Sequence, residues 1–164
     1  MQIARLGRFV FVAQWFAALL LPLFVFLGRG AVGGELGWMA LIGIVYGVFV
    51  ILLLLVPPLI TLFDREVRAE RAERTVFAGA SIALWVSLVI VGLSIPDSGD
   101  SGHLDSAISN WFGVPYEAST VVFGLFAALA GLTYFVTFIL AIAGIAAGSS
   151  PRATTALADD DLAG

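Results

Sequence analysis

Residues 9–27 read FVFVAQWFAALLLPLFVFL, a run with no charge and with Gln14 as its one side-chain amide. A stretch of this length cannot be covered by a soluble surface. About 20 apolar residues in a helix are what a hydrocarbon core about 30 Å thick requires. Reading outward, three further runs meet the same test, giving spans at about 9–28, 37–62, 76–95 and 119–147. Four strands cannot close a barrel, and every backbone polar group in lipid needs a partner, so the spans are expected to be helices. The fold class is therefore all-α, a polytopic transmembrane four-helix bundle in which short loops make successive helices antiparallel neighbours. The first run is longer than the apolar core of a signal peptide, about 7–15 residues, and the following GRGAVGG offers no A-x-A site. It reads as a retained span.

Composition agrees. The chain has 164 residues, 60% hydrophobic and 12% charged, with a mean hydropathy of +1.04. Soluble domains carry about 25% charged residues. Cysteine is absent, which excludes disulfides, thiol catalysis and thiolate metal sites. All eight basic residues are arginine. With Ala, Gly, Val and Leu dominant, this suggests a high-GC genome, hence a prokaryotic plasma membrane. No basic surface is broad enough for nucleic acid.

Arginine placement orients the spans. Arg5 and Arg8 precede the first, Arg65, Arg68, Arg71 and Arg74 lie between the second and third, and Arg152 follows the fourth. Arg29 alone falls on the other side. The positive-inside rule then puts both termini in the cytoplasm. Trp38 and Trp111 fall at the expected outer interface. Residues 1–150 form one membrane domain, and the acidic tail 151–164 is expected to be disordered.

The link DREVRAERAER lacks Gly and Pro and is expected to be helical, with Asp64–Arg68 and Glu70–Arg74 as i,i+4 pairs and its three glutamates on one side. Its four arginines are candidates for contact with anionic lipid or a partner. The first outer loop, GRGAVGGELG, reads as a flexible turn. The second contains HLDSAISNWFG, where Leu104, Ala107, Ile108, Trp111 and Phe112 recur at helical spacing. It predicts a short interfacial amphipathic helix stopped by Gly113. His103 lies near Asp97, Asp100 and Asp105. That spacing matches no calcium loop, and no metal or cofactor is expected.

No ionisable residue falls within a span, where one marks function by default. The polar residues in the middle of the spans are Gln14, Tyr46, Ser81, Ser87, Thr133, Tyr134 and Thr137. Of these, Gln14, Tyr46, Thr133, Tyr134 and Thr137 are the candidates to line a path. Small residues recur at packing intervals. Gly43 and Gly47 lie on one face of span two with Gly37 and Ala40, Gly124 and Gly131 lie in span four, and Gly144–Gly148 forms a further pair. Such faces let helices approach closely. Ala13-Gln14-Trp15 against Ala83-Leu84-Trp85, and Gly43-x-x-Tyr46 against Gly131-x-x-Tyr134, suggest a duplicated hairpin.

These features point away from an enzyme. The expected function is that of an accessory or structural subunit in a larger membrane complex or a homo-oligomer. The alternatives are a small oligomeric channel or transporter without embedded ionisable groups, and a lipid-headgroup enzyme using the second outer loop.

Overall fold

The computed structural model describes residues 2–100 and 102–148. Arg152 and the tail expected to be disordered lie outside the described residues. The chain is mostly helical. In order it forms α1 (Gln2–Phe26), a 3-10 turn (Gly28–Val32), α2 (Trp38–Thr61), α3 (Arg65–Glu70), α4 (Thr75–Ser94), the strands β1 (Asp97–Gly99) and β2 (Gly102–Leu104), α5 (Ala107–Phe112) and α6 (Tyr116–Gly148). Four of these, α1, α2, α4 and α6, are long and apolar enough to cross a membrane.

α4 packs on α1 and α6, and α2 also packs on α1 and α6. α4 is the most buried of the four and α2 and α6 are the least. The core divides into two clusters. Val10, Phe77, Ala78 and Ala141 form one, near the end that holds α3. Val25, Val91 and Ile95 form the other, near the end that holds the β-hairpin. Beside the second lies an apolar cavity of about 250 Å³, lined from all four long helices by residues that include Val25, Met39, Leu88 and Phe123.

Two local features show how sequence shapes these helices. Pro57 and Pro58 lie inside α2, which continues to Thr61. A proline at 57 removes the amide that would have bonded the Leu53 carbonyl. The Tyr134 hydroxyl of α6 donates to that carbonyl at 3.1 Å. Tyr134 thus satisfies a group the proline orphaned, which matters where no water is at hand.

The second feature is α5. Ser106 caps its start, accepting from the Ser109 amide at 3.2 Å, and Gly113 ends it with φ at 65°. Leu104 lies outside this helix, in β2, paired across from Asp97. The cap at Ser106 fixes the start at Ala107, so only Ile108, Trp111 and Phe112 of the expected set share the helix with Ala107. Trp111 and Phe112 are exposed.

Candidate functional site

Buried charge is the scarcest feature of an apolar chain, and this one carries it at both ends. At the hairpin end Arg29, the arginine between α1 and α2, is 1% exposed. The 3-10 turn folds it inward, and it pairs with the buried carboxylate of Asp97. It also donates to the Ile95 carbonyl at 3.4 Å. Asp97 accepts three backbone amides as well, from Gly37 at 2.8 Å, Met39 at 3.0 Å and Ser98 at 2.7 Å. Gly37 is the N-cap position of α2 and Met39 lies in its first turn, and the helix has no side-chain cap of its own. Asp97 therefore supplies the capping side chain of α2 from beyond the end of α4, where its charge also meets the positive end of the helix dipole. Burial pushes the Asp97 carboxyl up, but the amides of Met39, Ser98 and Gly37, with Arg29, outweigh it and hold the group below its usual value.

The connection between α1 and α2 is built into the one between α4 and α6 here. The Glu35 amide donates to the Asp105 carbonyl, the Asp105 amide to the Glu35 carboxylate at 3.1 Å, and Asn110 to the Gly33 carbonyl at 2.7 Å. A turn expected to be loose is thus tied down. His103 stacks on Tyr116, with ring centroids 4.4 Å apart. Among the described residues no three His, Cys, Asp or Glu side chains converge in a way that could hold a metal.

At the opposite end, the charged link does not run on as one helix. Asp64 caps α3 by accepting from the Glu66 amide at 2.9 Å. The helix stops at Glu70, and Arg71 turns left-handed, with φ at 50°. Both expected i,i+4 pairs are replaced. Asp64 is bound to Arg74 at 2.9 Å, and Arg74 reaches Glu66 at 2.8 Å. The reversal at Arg71 sends Glu73 inward rather than to the side shared by Glu66 and Glu70.

Glu73 is 5% exposed. Its Oε1 accepts from the Gln14 amide at 2.8 Å and lies 2.8 Å from the Thr61 hydroxyl. Its own amide donates to the Gly7 carbonyl at 3.0 Å. A side chain at Gly7 would run into the Glu73 carbonyl oxygen. Glu73 Oε2 and Gln14 Oε1 are buried without a partner among the described residues. Burial pushes the Glu73 carboxyl above its usual value, against the pull of the bonds from Gln14 and Thr61, and the nearby Asp64 charge pushes it the same way. An ionisable group thus reaches Gln14 after all, from the link rather than from within a span. The missed signal was the residue after a helix too short to carry all three glutamates to one side.

The sequence-derived residues scatter. Gln14 and Thr137 line one cavity of about 20 Å³ with Ser81 and Trp85. Tyr46 is 59% exposed on the outside of α2. Thr133 returns its hydroxyl to Leu129 in its own helix, and Thr137 does so to Tyr134. Gly43 and Gly47 lie against Phe26 of α1, whereas Gly124 and Gly131 have open space where a Cβ would go. Gly43 and Gly131, matched in the suggested duplication, therefore sit in unlike surroundings. Arg65, Arg68 and Arg71 are exposed and Arg74 is partly covered.

Compared with family models, curated proteins and solved structures, the chain matches none.

Proposed function

We propose that this chain is a multi-pass protein of the cytoplasmic membrane, folded as a four-helix transmembrane bundle, and that it serves as an accessory or structural subunit. It packs against a larger membrane complex or a second copy of itself. In this reading α3 and both termini lie in the cytoplasm, with Arg65, Arg68 and Arg71 facing anionic headgroups. The hairpin and α5 lie outside, with Trp38, Trp111 and Phe112 at the interface, where aromatic rings prefer to sit.

One observation carries the subunit reading. The glycines of α2 are used within the chain, against Phe26, while Gly124 and Gly131 of α6 face open space. In lipid, small residues promote helix association because they let backbones approach closely. An open glycine face on the longest helix suits a helix from another chain. The channel and headgroup-enzyme alternatives have no comparable support. Tyr46 is exposed on the outside of α2 and Thr133 bonds its own helix, whereas Gln14 is buried, and Asp97 and His103 are engaged with different partners.

The test is native mass spectrometry of tagged protein extracted from its own membranes. Wild-type protein should carry a fixed partner or a second copy, and Gly124→Leu with Gly131→Leu should lose it while remaining folded. An unchanged assembly in the double variant, or a monomer in the wild type, defeats the reading.

A further inference from the structure

The cluster around Glu73 is short of one hydrogen. Gln14 Nε2 has two, and both are used, one on the Phe11 carbonyl at 3.2 Å and one on Glu73 Oε1. The Thr61 hydroxyl has one hydrogen but two acceptors, the Pro58 carbonyl at 2.9 Å and Glu73 Oε1 at 2.8 Å. Two buried acceptors, Glu73 Oε2 and Gln14 Oε1, have none. Those two belong to side chains already joined by the bond from Gln14 Nε2 to Glu73 Oε1. A carboxylic acid and a primary amide pair through two hydrogen bonds, amide N–H to acid carbonyl and acid O–H to amide carbonyl. The first of these is present, and the two unpartnered atoms are the ones the second requires.

We propose that Glu73 is a proton-binding site, held as a neutral acid against the Gln14 amide, whose ionisation loosens the α3–α4 connection from α1 and α2. A proton on Oε2 supplies the Gln14 carbonyl and removes a buried charge. A proton on Oε1 instead donates to Thr61 and frees the threonine hydrogen for Pro58. The first placement ends the deficit, the second relieves only Thr61 and Pro58, and a carboxylate leaves it whole.

Among the described residues the surrounding charges do not supply a counter-ion. From the link, Arg74 is committed to Asp64 and Glu66, and Asp64 opposes ionisation. From α1, Arg8 beside Gly7 is exposed. α2 contributes Thr61, and α4 and α6 contribute only Phe77, Leu140, Ala141 and Gly144 to the adjoining cavity. An uncompensated buried carboxylate is costly, and such groups take up a proton instead. The proposal goes beyond the subunit reading and does not depend on it.

The experiment uses the full chain in phosphatidylcholine nanodiscs, with the carboxyl carbon of glutamate labelled with ¹³C and followed by NMR through a pH titration. The sequence has five glutamates. One resonance should titrate above the ordinary glutamate range, and Glu73→Gln should abolish that resonance alone. Five ordinary midpoints, or a raised resonance that survives Glu73→Gln, overturn the proposal. Should Glu73→Gln fail to fold, Thr61→Val decides. It must move the raised midpoint and leave the other four in place, and no movement overturns the assignment.

Discussion

The two ends of this molecule bury a carboxylate in opposite ways. At the hairpin end Asp97 is surrounded by donors, namely three backbone amides and Arg29. At the α3 end Glu73 is surrounded by groups that cannot meet all its needs, and it keeps one oxygen without a partner. Both acids are nearly as buried as the apolar core. Burial alone therefore does not decide the state of a carboxyl. The supply of hydrogens and counter-charge does, and it drives the two groups in opposite directions. The hairpin end is a fixed clasp, and the α3 end holds a group poised to change.

The largest effect should come from breaking the clasp. Asp97→Ala strands Arg29 without its partner and removes the cap of α2. Removing one member of a buried pair costs about 3–5 kcal/mol. Arg29→Met should cost less, because Asp97 keeps its three amides. Unfolding of both variants in mixed micelles orders them. If Arg29→Met proves the more damaging, pairing of charge outweighs the cap, and the account of Asp97 as the capping side chain of α2 fails.

Close backbone approach offers the next contrast, and here the ends behave alike. A Cβ at Gly7 would meet the Glu73 carbonyl oxygen, and one at Gly37 would meet the Ser98 carbonyl oxygen and Asp97. Overpacking of this kind costs about 1–3 kcal/mol. Gly7→Ala and Gly37→Ala should each lower stability by that order, measured the same way, while Gly79→Ala, with open space around it, should not. A neutral Gly7→Ala would mean that Glu73 is not held against α1.

pH separates the ends by sign. Asp97 has a lowered value in the fold, so its contribution is present above its unfolded value and lost as pH falls through the folded one. Glu73 has a raised value, so its contribution is complete below its unfolded value and lost as pH rises through the folded one. Thermal midpoints of the wild type should therefore fall away on both sides of an optimum. Glu73→Gln should flatten the limb on the side of rising pH, and Asp97→Asn should flatten the acid limb at a lower overall stability. Two limbs that both survive Glu73→Gln would assign the high-pH loss to some other group.

What could be read without coordinates follows from the range of the forces involved. The four long helices were legible because an apolar run of span length is a local signal. The expected start of α1 near residue 9 differs from Gln2 because Arg5 and Arg8 continue the helix beyond the apolar run. The start and stop of α5 were written in Ser106 and Gly113. The two buried carboxylates were not legible. Arg29 and Asp97 stand 68 residues apart, and Gln14 and Glu73 stand 59 apart. No spacing rule reaches that far, and a single arginine on the sparsely charged side was the only hint of the first pair. The i,i+4 pairs expected in the link failed for a local reason. A helix of six residues cannot hold Glu70 and Arg74 on one face, and an acid at its N-cap turns toward amides rather than along the axis.

The smallest test concerns the turn that creates the contrast. Glu73 points inward only because Arg71 adopts a left-handed conformation, φ 50°, which arginine rarely takes. For a residue with a Cβ this costs roughly 1–2 kcal/mol, and glycine escapes it. Arg71→Gly and Arg71→Ala lose the same charge. They differ in what the backbone tolerates, so their difference isolates the turn. Arg71→Gly should be the more stable by about 1 kcal/mol, and it should leave the raised glutamate resonance where it was. If Arg71→Ala is as stable as Arg71→Gly, the left-handed turn is not strained. The inward course of Glu73 must then be fixed by the contacts of Gly7, Gln14 and Thr61, which would make the α3 end the more rigid of the two.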